Sequence, residues 1–160
     1  VTVQTGQFNE HAVLTIFDKV VSYALATGLF DAVNQHEPKS APGNGITCAV
    51  WVQVIRPVRS GLAATSGVLI LEARIYTSFV QQPFDMIDPN ITAATASIMM
   101  ALTGDFNFGG DANVRNLDLL GSTGTPLSAQ AGYVEIDRRM YRVMTITIPV
   151  IVNDMFVQVA

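Results

Sequence analysis

Two histidines, one cysteine and thirteen acids supply the groups able to do metal or covalent chemistry in this chain. His11 falls in an apolar-periodic stretch, His36 in a proline-rich one, and Cys48 in an apolar run, so no pair has the short spacing that zinc sites use. The segment "GDFNFGGD" sets Asp105 and Asp111 around glycines but lacks the ladder of alternate oxygen ligands and the closing glutamate of a calcium loop. It reads instead as a turn that displays Phe106 and Phe108. No phosphate-cradling glycine motif occurs, and no serine, histidine and acid stand in a recognisable nucleophilic pattern. A catalytic or ligand-binding reading would have to use His36 with Asp105 and Asp111 of the 104–112 loop around a concave pocket. The expectation is therefore a chain without metal or cofactor and without enzymatic activity.

Composition points the same way. Apolar residues make up 49% and charged residues 14%, against roughly 25% charged in a typical soluble protein. A charge-poor surface suits a chain that covers part of itself with partners; a neutral skin of Thr, Ser, Asn and Gln is the other way to reach it. The net charge of −4 argues against a general nucleic-acid binder, which needs a basic stripe. Only Arg138, Arg139 and Arg142 cluster, beside Glu135 and Asp137. A lone cysteine forms no intrachain disulfide, and no run reaches the ~18 apolar residues of a membrane span. These features suggest a single domain, residues 1–160, kept in a cytoplasm or assembled there into something larger, with no membrane partner.

The elements follow from periodicity. Val13, Ile16, Phe17, Val20 and Ala24 recur at helical spacing within 9–26, with Asn9 as N-cap and Gly28 as the left-handed stop. "GLFDAV" reads as an edge strand and 46–55 as a strand buried on most of both faces, ended or edged by Pro57. Residues 68–79 form a strand with Leu69, Leu71, Ala73, Ile75 and Phe79 inward and Glu72, Arg74 and Tyr76 outward. Asp88 and Pro89 open a second helix to Gly104, apolar on more than one face and so expected between two layers or subunits. "VRNLDLL" is a short strand. "YVEID" and "MYRVMTITIPVIV" make a hairpin that turns near Asp137 to Arg139, and it is the one strong hairpin visible. In its second strand Met140, Met144, Ile146, Ile148, Val150 and Val152 share a core face, and Tyr141, Thr145, Thr147 and Asn153 share a half-polar one. The fold class is α+β: a mostly antiparallel sheet packed by two main helices.

Three long segments, 35–45, 57–67 and 121–132, carry no pattern of their own and read as functional loops. Candidate interface residues are the arginines Arg56, Arg59, Arg138 and Arg139 and the apolar anchors Leu62, Phe106 and Phe108. The same apolar side chains equally suit satellite cores beneath their loops. Trp51, inside a strand, is expected in the core rather than on a stacking platform.

The segments "HEPKSAPGNG", "AVWVQVIRPVRSGLAATSG", "RIYTSFVQQPFDMIDPNI", "RNLDLLGSTGTPLSAQAGY" and "MYRVMTITIPVIVND" together resemble the tail-terminator proteins of long-tailed phages that infect actinobacteria. The resemblance spans about Leu29 to Asp154 and is remotely similar to the lambda-type minor tail protein U family. It implies a small α+β subunit of a homohexameric ring in the virion. Such a ring caps the head-proximal end of the tail tube, stops its polymerisation and meets the head-completion (stopper) protein. Genomic DNA would pass through the lumen only in transit. The alternatives are another stacked-ring component such as the tail tube subunit, which carries paired long hairpins, or a small α+β enzyme or ligand-binding domain. The resemblance carries no catalytic motif, so it assigns no functional residue.

Overall fold

A computed structural model describes residues 6–43, 45–58, 64–78 and 84–157. Its centre is β7, Arg139–Val157, nineteen residues long. One edge of β7 pairs along its length with β4 (Ala64–Ser78), which pairs antiparallel with β3 (Ile46–Val58). The other edge of β7 is shared end to end by β6 (Ser128–Ile136), β5 (Val114–Leu117) and the two-residue β1 (Gln7–Phe8). The short β2 (Ala32–Asn34) runs parallel to the start of β3.

Pro149 sits inside β7, where a missing N–H should cost a ladder bond. The register explains why it is tolerated. β6 leaves β7 at Thr147 and β5 joins at Val150, so Pro149 falls in the gap, and its carbonyl accepts from Asp118 N at 2.9 Å.

Both helices lie on one face of the sheet. Helix α1, Glu10–Ala26, is capped by Asn9, whose Oδ1 accepts from Ala12 N at 3.1 Å, and Gly28 takes φ +67° after it. Its Val13, Ile16, Val20 and Ala24 meet Cys48 and Val50 of β3, Leu69, Leu71, Ala73 and Ile75 of β4, and Ile146, Ile148, Val150 and Val152 of β7 in one core. Helix α2, Ile87–Gly104, adds Ile91, Ala94, Ile98 and Leu102. Gly67 has a steric role here: a Cβ there would lie 2.3 Å from Met155 Sδ.

Several expectations change. Helix α2 starts at Ile87, one residue before Asp88, running on directly from a 3-10 turn at Phe84–Met86 with no side-chain cap; Asp88 instead accepts from Arg142 Nε at 3.0 Å. Its outer side is not covered by the described residues: Met100 is 71% exposed. β3 is not buried along both faces, since Val52 and Ile55 emerge beyond the reach of the helices. The segment 57–67 is not one long loop, for β3 runs to Val58 and β4 begins at Ala64, with Val58 opposite Ser66. Likewise 121–132 is a loop only as far as Leu127, and Ser128–Gly132 is strand. There are thus two long hairpins, β3–β4 and β6–β7, rather than one. The turn near Asp137 is as expected, with Asp137 and Arg138 at φ 51° and 63°, the left-handed pair of a two-residue connection. Arg59, Leu62 and Phe79 lie outside the described residues.

Candidate functional site

The sheet face away from the helices is where polar chemistry gathers. At one end Tyr76, Tyr141, Val143 and Ala49 form a small second core, covered by the 35–43 loop. Tyr141 Oη donates to Pro42 O at 2.6 Å, and Ala41 N donates to Asp137 Oδ2 at 2.8 Å, which ties that loop to the β6–β7 turn. Tyr141 therefore belongs to a core and not to a half-polar surface. At the other end Arg56 Nη2 donates to Thr123 O at 2.7 Å. That loop is held by Asp118, which is 2% exposed and accepts from the backbone N–H and hydroxyl groups of both Ser122 and Thr123. Burial alone would raise the Asp118 pKa; these bonds outweigh it and hold the carboxyl below its usual range.

Between the two loops lies an open trench of about 370 Å³. Glu72, Thr147 and Ser128 form one row across β4, β7 and β6, Arg74, Thr145 and Gln130 form the next, and Gly132 extends the lining along β6. Arg74 is well engaged: its Nε donates to Thr145 Oγ1 at 3.0 Å, its Nη1 lies 3.9 Å from Glu37 Oε1, and its guanidinium sits 5.2 Å from the Trp51 ring centre. Trp51 is thus partly buried: it packs against the small second core and also lies against the Arg74 guanidinium. Glu72 is less well served. Thr147 Oγ1 approaches its two oxygens only at 3.3 and 3.4 Å, and burial raises its pKa against the opposing effects of Thr147 and Arg74.

The 104–112 loop is on the helix side. Tyr23 donates to Asp105, Gly109 N donates to Asp105 Oδ1 at 2.7 Å, and Lys19 donates to Phe108 O and pairs with Asp111 at 3.8 Å. Tyr23 and Gly109 hold the Asp105 pKa down. Phe106 is half exposed as expected, but Phe108 is fully buried at φ 53° in the main core and offers nothing to a partner. His36 is exposed, and its neighbour Glu37 reaches Arg74 on the opposite sheet face. The structure does not gather His36, Asp105 and Asp111 into one pocket. Cys48 is buried, its thiol pushed up to about 12.

Of the candidate interface residues, Arg138 and Arg139 are exposed at the β6–β7 turn, while Arg56 sits on β3 at the far end of the same face. The sequence reading missed the trench itself. Its signal was the outward set Glu72, Arg74, Thr145 and Thr147, which lie in register across β4 and β7.

Two edges of the sheet are open. Beyond Ala49, no strand among the described residues pairs with the outer side of β3, and none pairs with the outer side of β6. β3 is blunted by Pro57 and by a bulge between Val52 and Val54; β6 has neither proline nor bulge over its nine residues. Such an edge on a free chain is a template for another strand. Among the described residues no helix is long and apolar enough to cross a membrane, and no cluster of three potential metal ligands occurs. Comparison with protein-family models and with curated proteins finds no match.

Proposed function

We propose that this chain is a structural, non-enzymatic subunit of a homomeric ring, built by joining the β6 edge of one copy to the β3 edge of the next. Strand direction supports it most. β3 runs antiparallel to β4, β4 to β7 and β7 to β6, so β3 and β6 point in opposite senses. A rotated copy then presents its β3 antiparallel to β6, a regular pairing that one contact repeated around a closed ring can use. Helices on one face only leave the other free to line a lumen. On that face Arg56 and Arg74 are engaged within the chain while Arg139 is exposed at the β6–β7 turn, and the net charge of −4 suits transit of DNA without tight phosphate contact.

With the tail-terminator resemblance, this reading becomes a hexameric virion ring at the head-proximal end of a phage tail. It ends tube growth and presents its other rim to the head-completion protein. The second long hairpin, β3–β4, also favours the tail tube subunit as a second reading, because paired long hairpins mark that relative.

Light scattering on the purified chain, with and without purified tail tubes, separates these readings. A six-fold mass, or six copies at one end of each tube, supports the terminator; open-ended growth into tubes supports the tube subunit. Ala131→Lys with Glu135→Lys, two exposed β6 positions, should abolish either assembly, because lysine opposes edge pairing. A monomer indifferent to tubes overturns both.

A further inference from the structure

The trench runs out at the β6 edge, where Ser128, Gln130 and Gly132 form its rim. Glu72 sits at its far side, and among the described residues it takes part in none of the ion pairs. Its neighbour Arg74 is drawn toward Thr145, Glu37 and Trp51. The trench is thus an acid-bearing groove with room for a cation and an opening toward whatever strand joins β6. The free edge of β3 carries one cation among its described residues, Arg56, on the same helix-free face as the trench.

We infer that the trench is a composite site completed by a second copy of this chain, whose Arg56 enters over Ser128 to pair with Glu72. The inference rests on the ring reading above and fixes its register. With Arg56 of the next copy opposite Ser128, one cross-strand row reads Arg56, Ser128, Thr147, Glu72, since Ser128 faces Thr147 and Thr147 faces Glu72. Three strand spacings make about 14 Å, which extended arginine and glutamate side chains together span. The pairing would give Glu72 a direct ion pair, where its own chain supplies only the charge of Arg74 without ion-pair contact, and would release Arg56 from the Thr123 carbonyl. Occupying the groove at each boundary would also select one register from the several that an edge of nine regular residues permits.

The test is a mutant cycle on assembly, read as the protein concentration at half-assembly by light scattering. Glu72→Gln and Arg56→Gln should each raise that concentration about ten-fold, and the double variant should be no worse than either single one. The swap Glu72→Arg with Arg56→Glu should recover most of the loss, which a merely structural role for Arg56 at Thr123 would not produce. Thermal unfolding of each variant monitors the fold. If Glu72→Gln assembles like the parent while Ala131→Lys with Glu135→Lys falls apart, the composite site is wrong and the ring stands. Additive single losses, or no recovery in the swap, likewise overturn the site. An Ala131→Lys with Glu135→Lys protein of unchanged mass overturns the ring.

Discussion

The two faces of the sheet are built from the same strands and held by different forces. On the helix side, Leu69, Leu71, Ile146, Ile148 and Val150 lie under α1 and α2 in a continuous apolar core. On the other side, the small cluster around Tyr76 and Tyr141 and two loops fixed by polar bonds leave a polar trench between them. Alternation along β4 and β7 produces both, since neighbouring residues point to opposite faces. The first face carries stability. The second buries fewer apolar side chains, Val68, Ile70, Val143 and Ile151 among them, and carries many placed donors and acceptors, an arrangement suited to meeting something else.

Substitutions on each face sharpen that contrast. The largest effect belongs to the helix face: Ile146→Ala removes a fully buried side chain and should cost about 2–5 kcal/mol. A melting-temperature drop of about 10 °C checks it. Next comes Asp118→Ala, which strands four donors and should cost about 2–3 kcal/mol by denaturant titration. Because the folded Asp118 pKa is depressed, its contribution is present above the ordinary carboxylate range and is lost as pH falls through the folded value. Asp118→Asn should therefore flatten the acid limb of a stability profile. Tyr141→Phe keeps the ring in its cluster and deletes the bond to Pro42, for a loss of about 1 kcal/mol.

The smallest change has the opposite sign. Burial raises the folded pKa of Glu72, so its charge weighs against the folded chain above the ordinary glutamate range and is relieved as pH falls. Glu72→Gln should leave the chain at least as stable at neutral pH, measured by thermal unfolding. A clear destabilisation would show that Glu72 serves the fold of its own chain.

Periodicity carried a good part of this architecture. The core faces of α1 and, from Ile146 on, of β7 follow from apolar spacing, as does that of β4 from Leu69 to Ile75, whereas Met140 is 45% exposed and lies outside the core; the left-handed stop at Gly28 and the turn at Asp137 follow from local backbone chemistry. What spacing does not encode is which residues lie beneath which. Phe106 and Phe108 look alike in sequence, yet the carbonyl held by Lys19 and the turn through Asp105 drive only Phe108 inward. Ser128–Gly132 is rich in small residues and reads as loop, but pairing with Thr147 through Val143 makes it strand. The trench needs the registers of β4, β7 and β6 at once, and no one segment contains them.

The position of β7 also sets an order of events during synthesis. It is the strand that β4, β5 and β6 all flank, and it lies after each of them along the chain. Until residues 139–157 leave the ribosome, the β3–β4 hairpin has an apolar face covered at most by helices and β4 has a bare inner edge. Because its central member follows its neighbours along the chain, the nascent sheet depends on β7 for closure, so slow translation near Arg138 and Arg139 would extend the period in which β4 can pair with a wrong chain.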